Sequence, residues 1–239
     1  MAKVRLDHLL VIKGLVTTRS QAESWIKLGK VSVEGKVVTK PGFFVREEAA
    51  IKLAASERYV SRAGLKLASV ARTLKVDFKD TVVLDVGSST GGFTDYALQH
   101  GAKKVYAVDV GTDQLHPSLH DEPRIELHEK TDIRDFTPDT TPDVVVMDVS
   151  FISLREILPH IATFSGPQAQ VIAMVKPQFE AGRHQVNKGV IKNDSVRRQI
   201  LKEFEMWVKD RFIIVDKADS EVAGSRGNRE RFYCLKPLA

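Results

Sequence analysis

The sequence predicts an α/β protein in two parts, a small N-terminal α+β module and a larger domain on a mostly parallel, seven-stranded sheet. Three observations carry this reading. From residue 62 onward, apolar runs of strand length alternate with helical segments. The first of those runs ends in a glycine-rich turn that opens a helix. Charge is divided unevenly, because residues 1–60 hold eleven basic and six acidic side chains and the rest of the chain holds 25 of each. The whole +5 excess therefore lies in the first quarter, as expected of a polyanion-binding module joined to a neutral domain. On charge alone, nucleic acid and an anionic membrane surface both remain open as partners.

In the first module, Leu6, Leu9 and Leu10 follow i, i+3, i+4 spacing and Gly14 follows, which predicts a short amphipathic helix over 4–13. Thr18 and Gln21 make a capping box for a second helix. Ala22, Trp25 and Ile26 supply its buried stripe and Gly29 ends it. Val31-Ser32-Val33 and Lys36-Val37-Val38 then alternate around Glu34-Gly35, the pattern of a tight hairpin. Arg5, Arg19, Lys27, Lys30, Lys36 and Lys40 are left to form a basic ridge, with an ordinary solvated charged face as the alternative.

A polar stretch from Ala54 to Arg62 separates the modules, placing the domains at 1–55 and 62–239 with a linker over 56–61. In the second domain, strands are expected at 82–86, 104–108, 124–127, 143–147, 170–175, 211–215 and 231–235, with helices over 62–74 and 195–210. The best apolar runs, Val144 to Met147 and Val171 to Val175, stop at Asp148 and Lys176. Both fall far short of the roughly 20 residues needed to cross a bilayer, so no integral membrane association is expected. Nor is a secretion signal: Asp7, His8 and Lys13 interrupt the run Leu9-Leu10-Val11-Ile12. Cys234 is the sole cysteine, which rules out an internal disulfide or a Cys-based zinc site and points to a reducing cytoplasm.

The turn after the first large-domain strand reads Asp85-Val86-Gly87-Ser88-Ser89-Thr90-Gly91-Gly92-Phe93. Its Gly-x-x-x-Gly-Gly spacing departs from the Gly-x-Gly-x-x-Gly dinucleotide fingerprint and disfavours a pyrophosphate cofactor. Asp109 ends the next strand, where a carboxylate can accept from both ribose hydroxyls of an adenosine. Asp132 follows the third strand within reach of the adenine edge, and Asp85 can face the ammonium of an amino-acid moiety. The set suits S-adenosylmethionine, although each Asp could instead be a loop cap.

Two further strands end in charged residues that burial alone would not select, Asp148 and Lys176. Lys66 on the preceding helix and Glu230 in Gly227-Asn228-Arg229-Glu230 complete two lysines and two carboxylates. Such a compensated cluster suits methylation of an alcohol, which must lose its proton while it attacks a sulfonium methyl in line. A lysine can accept that proton when neutral or stabilise the forming alkoxide when charged. The alternatives are an exposed helix lysine at Lys66 and an ordinary Asp148–Lys176 salt bridge.

The run from Arg5-Leu6-Asp7 through Thr18-Arg19-Ser20-Gln21-Ala22 to Gly29-Lys30-Val31-Ser32-Val33-Glu34-Gly35 resembles the "S-four" RNA-binding domain over about residues 3–50. That resemblance implies a grip on structured RNA through phosphate and shape. Further on, Tyr59 through Leu67, Asp85 through Thr94, Asp148 through Leu154, Val175 through Glu180 and Gly227 through Glu230 resemble the TlyA family. The family joins an S-four domain to an FtsJ-like, Rossmann-like class I methyltransferase domain, so the likeness covers nearly the whole chain. It implies S-adenosylmethionine-dependent 2'-O-methylation of ribosomal RNA on cytidines, with ribosomal RNA or subunits as partner and no obligate protein partner.

Carried over residue by residue, the resemblance implies a catalytic tetrad of Lys66, Asp148, Lys176 and Glu230. Lys176 handles the proton, Asp148 and Glu230 orient it, and Lys66 supports substrate positioning. It places cofactor contacts on Asp85, Gly87, Ser89, Thr90, Gly91, Gly92 and Phe93, joined by Asp109 and Asp132. Ser88 stands where the family more often has alanine, and Thr112-Asp113 also departs from its pattern.

Arg183, His184, Lys188, Lys192 and Asn193, in a polar segment after the Lys176 strand, form a candidate substrate lid. His116, His120 and His128 are read as solvated histidines, so no metal site is expected. Two rival readings remain from other classes: a membrane-active haemolysin, suggested by the family's label, and a catalytically silent RNA-binding or ribosome assembly factor.

Overall fold

The computed structural model describes residues 3–16, 19–27, 29–54, 59–181, 190–191, 193–222 and 228–238. The chain divides into two compact units, Met1–Arg62 and Ala63–Ala239.

In the first unit, β1 (Lys3–Arg5) runs directly into α1 (Leu6–Ile12). Then come α2 (Arg19–Lys27), β2 (Val31–Val33), β3 (Lys36–Val37), β4 (Phe44–Arg46) and β5 (Ile51–Leu53). Leu6, Leu9 and Leu10 of α1 and Ala22, Trp25 and Ile26 of α2 are all buried, forming the apolar seam that their spacing predicts. The end of α2 is closed by Gly29 N–H to Ile26 O and Lys30 N–H to Trp25 O, both 3.0 Å, the Schellman pattern. The helix expected over 4–13 starts instead at Leu6. Lys3, Val4 and Arg5 are extended because they pair antiparallel with Arg46, Val45 and Phe44. Hairpin β2–β3 turns at Glu34-Gly35 as expected, and β5 adds a third strand on the other edge of β2. Thr18, and with it the expected capping box, lies outside the described residues.

The second unit runs α3 (Arg62–Ala71), β6 (Val82–Val86), α4 (Gly92–Gln99), β7 (Lys104–Val108), β8 (Ile125–His128), β9 (Val144–Met147) and α5 (Leu154–Phe164). It continues through β10 (Gln170–Val175), α6 (Pro177–Glu180), α7 (Asp194–Val208), β11 (Phe212–Asp219) and β12 (Arg231–Pro237). Every residue of β6 and β9 is buried, since a parallel sheet covered on both faces demands continuous apolar strands. The seven strands stand in the order β11-β12-β10-β9-β6-β7-β8. β12 is antiparallel to both β10 and β11, while the pairs from β10 across to β8 are parallel. Leu84, Val86, Tyr106, Met147, Leu158, Phe204 and Tyr233 belong to one continuous core on this sheet. The strands agree with expectation except at their ends: the third starts at Ile125, and the sixth extends to Asp219 by pairing along β12 past a bulge between Ile214 and Asp216.

Strand order positions the chemistry. The chain leaves β6 toward β7 and β8, then returns to lay β9 on the other side of β6. This is the topological switch point at which open α/β sheets bind ligands. The C-terminal ends of β6, β9 and β10 share one rim, and the antiparallel β12 enters at that same rim.

Candidate active site

The rim is shaped first by backbone. Gly87 has φ +78°, and a Cβ there would meet the Asp148 carbonyl oxygen at 3.1 Å and Val149 Cα at 3.3 Å. Only a residue without a side chain lets the turn after β6 lie this close to the end of β9. Gly91, at φ +84°, precedes the first turn of α4, and a Cβ there would run into Leu119 at 2.6 Å and Leu115 at 2.8 Å.

Asp85 lies beneath this turn, fully buried. Its Oδ2 accepts Thr94 N–H at 2.9 Å and the Thr94 hydroxyl at 2.7 Å, which fixes the start of α4. Its Oδ1 is buried with no hydrogen-bond partner. Burial, opposed by the Thr94 bonds and reinforced by the negative charge of Asp148, pushes the Asp85 carboxyl up to about 7. An unsatisfied buried carboxylate oxygen is a place where a cationic group restores what desolvation removed, which fits the ammonium of an amino-acid moiety.

Asp109 is held by backbone amides on both oxygens, Ser89 N–H to Oδ2 at 2.8 Å and Gly111 N–H to Oδ1 at 2.7 Å. Each oxygen keeps acceptor capacity for ribose hydroxyls. Asp132 accepts from the Arg134 amide and, in a fork, from its guanidinium at 3.0 and 2.6 Å. The Arg134 bonds hold its carboxyl below the usual range. A cavity of about 390 Å³ opens among Gly87, Ser89, Asp109, Asp132, Asp148 and Ser150, with Val86, Val108, Ile133 and Ile157 among its apolar walls. Its size and mixture of apolar wall with a few polar groups are those of a small-molecule site.

Thr90, Gly91 and Gly92 build the entry to α4 and are not part of the cavity wall. Phe93, expected among the cofactor contacts, turns its side chain away from the cavity wall. Its side chain is 1% exposed, packed 6.1 Å from the ring of Phe232, so it is a core residue. Gln114, Ser150 and Phe151 line the cavity without having been singled out from the sequence. Gln114 accepts from the Ser89 hydroxyl at 2.9 Å. Phe151 is 91% exposed, has φ +67° and lies 5.2 Å from the Phe179 ring. A bulky residue in left-handed backbone, showing its face to solvent at a cavity mouth, is the kind of strain that functional sites hold.

The tetrad residues come to the same rim as two ion pairs, one buried and the other bordering the cavity. Asp148 follows β9, and its carboxylate is 2.5 Å from Lys176 Nζ at the end of β10. Lys176 Nζ also donates to Ser150 Oγ at 2.8 Å. Val175 is paired with Arg231 in the β10–β12 ladder, so continuing the register places Lys176 across from Glu230. Glu230, 3% exposed, is held not to Lys176 but to Lys66, whose Nζ reaches it from α3 at 2.5 Å. The expected orientation of Lys176 by both carboxylates is therefore corrected to one carboxylate on each lysine. Neither is Lys66 an exposed helix lysine, being 8% exposed. The segment carrying Glu230 is pinned by Arg197 Nε to Arg229 O at 2.9 Å and by Ile191 N–H to Asn228 Oδ1 at 3.1 Å.

In the first unit, Arg5 and Arg19 converge on Asp7, which is 0% exposed. Arg5 Nη2 lies at 2.7 Å and Arg19 Nε at 3.0 Å, while both guanidiniums stay about half exposed. Lys30, Lys36 and Lys40 are exposed. The Lys27 side chain, Gly227 and four of the lid residues (Arg183, His184, Lys188 and Lys192) lie outside the described residues. Asn193, the fifth, caps α7 by accepting Ser195 N–H at 2.8 Å. The three histidines make local bonds, His116 to Ser118, His120 to Leu115 O and His128 to Glu126.

Comparison with known proteins adds to this geometry. The model of the FtsJ-like methyltransferase family matches residues 59–237 and that of the S4 domain matches residues 4–51. The "Putative rRNA methyltransferase YqxC" of Bacillus subtilis is 42% identical over 235 residues, covering 95% of this chain and 84% of that protein. The 16S/23S rRNA (cytidine-2'-O)-methyltransferase TlyA of Mycobacterium tuberculosis is 36% identical over 241 residues, 98% and 90% of the two chains. Among solved structures, the "Putative hemolysin from Streptococcus thermophilus" superposes with TM-score 0.77 at 38% identity, covering all of this chain and 90% of that one.

Proposed function

The chain belongs to the FtsJ-like methyltransferase family and carries an S4 domain, and from that premise we propose that it methylates the 2'-hydroxyl of cytidine ribose in ribosomal RNA, with S-adenosylmethionine as donor. The observation that carries the reading is the two lysine–carboxylate contacts, Lys176–Asp148 and Lys66–Glu230, on the rim beside the Gly87 turn. A ribose hydroxyl is a weak nucleophile, and charged groups held in fixed positions do most where charge develops during the transfer.

When bound, S-adenosylmethionine supplies a methyl group on a positively charged sulfur, ready for in-line displacement. Asp85 Oδ1 would receive its ammonium, Asp109 its ribose hydroxyls, and Asp132 with the apolar wall its adenine. Asp148 and Ser150 take two of the three directions around Lys176 Nζ and leave one for the ribose oxygen. There the Lys176 ammonium stabilises the negative charge that builds on oxygen while the hydroxyl proton is lost to water at the open rim. Lys66 and Glu230 keep the neighbouring charge balanced. The Phe151 face offers a rest for the base of the target nucleotide, since stacking on an exposed aromatic is how unpaired bases are held. The S4 unit supplies phosphate contacts through Arg5, Arg19, Lys30, Lys36 and Lys40. A reaction on ribosomal RNA belongs to the cytoplasm.

The test is transfer of labelled methyl to separated ribosomal subunits lacking the modification, followed by alkaline hydrolysis. A 2'-O-methyl group removes the internal nucleophile, so label in alkali-resistant dinucleotides is the expected result. Label in mononucleotides would move the chemistry to a base, and no label on either subunit would overturn the reading. A similar structure carries a haemolysin name. Among the described residues no helix is long and apolar enough to cross a membrane. Dye release from liposomes by nucleic-acid-free protein would revive that reading.

A further inference from the structure

Glu180 is a carboxylate outside the tetrad, at the end of the short α6 turn, with a side chain 1% exposed. Burial raises its carboxyl above the usual range, against the bonds from Ser153 and Leu154 that favour the charged form. A buried carboxylate is expensive to keep unless its bonds accomplish something an apolar residue cannot. Its Oε2 accepts the Ser153 hydroxyl at 2.6 Å and its Oε1 accepts Leu154 N–H at 2.8 Å, with the Arg155 guanidinium at 3.6 Å. These are groups at the N-terminus of α5, where a negative charge is favoured. Helix α5 nevertheless has its own cap, because Ser153 Oγ accepts Arg155 N–H at 3.1 Å. That cap reaches only Arg155 N–H, so Glu180 satisfies a second amide, Leu154 N–H, and does so from another segment of the chain.

What Glu180 joins is informative. The Lys176–Glu180 segment meets the Asp148–Leu154 segment at three successive levels. Lys176 touches Asp148 and Ser150 at the rim, the Phe179 ring lies against Phe151 above it, and Glu180 holds Ser153 and Leu154 at the far end. The two segments leave adjacent parallel strands, β9 and β10, one as the loop into α5 and the other as the short α6, and the β9–β10 pairing ends at Met147 and Ala173. Beyond that point no ladder bond joins the two segments, and these contacts hold one against the other. Of the three, the Glu180 contact includes a bond to backbone, Leu154 N–H, so it ties the segment to the main chain at the start of α5.

We infer that Glu180 is a positioning residue for methyl transfer, clamping the Lys176 turn onto the Asp148–Ser153 loop so that Lys176 Nζ stays on the line of attack. The inference rests on the methyl-transfer reading above. Glu180 acts through Lys176 and Asp148 and touches neither donor nor acceptor.

The experiment uses the full-length protein, methyl transfer to ribosomal subunits under saturating conditions, and calorimetric binding of S-adenosylmethionine and of RNA. Misplacement by a fraction of an ångström costs transfer rate more than binding, so Glu180→Ala should lower kcat about thirtyfold while both dissociation constants stay within about twofold. Glu180→Gln can accept Leu154 N–H with its oxygen and donate to Ser153 Oγ with its amide, so kcat should recover to within about threefold of wild type. If Glu180→Ala does not fold, Ser153→Ala removes one of the two bonds together with the α5 cap and should lower kcat about fivefold with cofactor affinity intact, whereas Ser153→Thr, which keeps the hydroxyl for both, should stay near wild type. Wild-type kcat in Glu180→Ala or in Ser153→Ala overturns the clamp. So does a parallel loss of kcat and cofactor affinity, which is what general loosening of the fold produces. Failure of the wild-type protein to label RNA is a separate result, and it removes the functional reading and the clamp together.

Discussion

Lys66 on α3 and Glu230 at the entry to β12 form an ion pair at 2.5 Å with side chains only 11% and 4% exposed. A pair this buried is weak evidence for net stabilisation, but deleting one member strands the other charge away from water. Glu230→Ala should therefore lower unfolding free energy by about 3 kcal/mol in urea denaturation. The double variant Lys66→Met/Glu230→Gln should recover most of that stability while transfer stays impaired. Equal recovery of stability and transfer would show that the pair holds the fold and nothing more.

Lys176→Ala leaves Asp148 and Ser150 without the nitrogen between them and empties the position nearest the attacking oxygen. Methyl transfer should fall about a thousandfold or more, the scale on which a positioned charge or proton-handling group matters. S-adenosylmethionine and RNA should still bind, because Asp85, Asp109 and Asp132 are held by Thr94, Ser89, Gly111 and Arg134 rather than by Lys176, and the S4 domain is a separate part of the chain. Turnover at the wild-type rate would remove Lys176 from the reaction centre.

Asp85 predicts a pH dependence of cofactor binding. Its carboxyl, raised by burial to about 7, is neutral below that value and ionised above it. Without a cation beside it, the native chain holds a proton there that the unfolded chain gives up near the ordinary carboxyl value. Its contribution to stability therefore falls as pH rises from about 4 to 7. A bound ammonium favours the ionised form, so the sign for binding is opposite: affinity rises with pH through about 7. Between pH 6 and pH 8 the gain should be about tenfold relative to Asp85→Asn, which has no such ionisation. Isothermal titration of both proteins reads this ratio, and parallel pH profiles would separate Asp85 from cofactor binding.

These residues differ in how plainly the sequence announces them. Asp148 and Lys176 stand out because each ends a run of apolar residues that only a doubly covered strand explains, and the same logic gives the extents of β6, β7 and β10 without correction. The partner of each lysine is not legible in this way. Which carboxylate Lys66 meets depends on the antiparallel entry of β12, a tertiary fact. The direction of the Phe93 side chain is not legible for a related reason, since it follows the glycines of the turn but points into the core toward Phe232. In the first unit, β1, β4 and β5 have three residues each, too few for an alternation to register. Lys3-Val4-Arg5 becomes extended only because Phe44–Arg46 lies beside it. Glu180 is one more acidic residue in a polar stretch until α5 is seen to deliver Ser153 and Leu154 to it.

Asp7 yields the last prediction, in the first unit. It carries no exposed surface, yet Arg5 and Arg19 on either side keep about half of theirs. The hydrogen bond from Arg5, opposed by burial and assisted by Arg19, holds the Asp7 carboxyl down at about 2. A carboxyl depressed below its unfolded value contributes stability that is present above pH 4 and is lost as pH falls toward 2. With allowance for solvent screening of the half-exposed arginines, the contribution is about 1–2 kcal/mol. Asp7→Asn should abolish it and also free both guanidiniums to rotate. RNA binding should then weaken although the net positive charge has risen, because two arginines fixed at a common carboxylate present their outer N–H groups to phosphate at lower entropic cost than two mobile ones. The salt dependence of RNA binding should keep its slope, since the number of phosphates neutralised is unchanged. Tighter binding in proportion to the added charge would show that Asp7 opposes RNA and orders nothing.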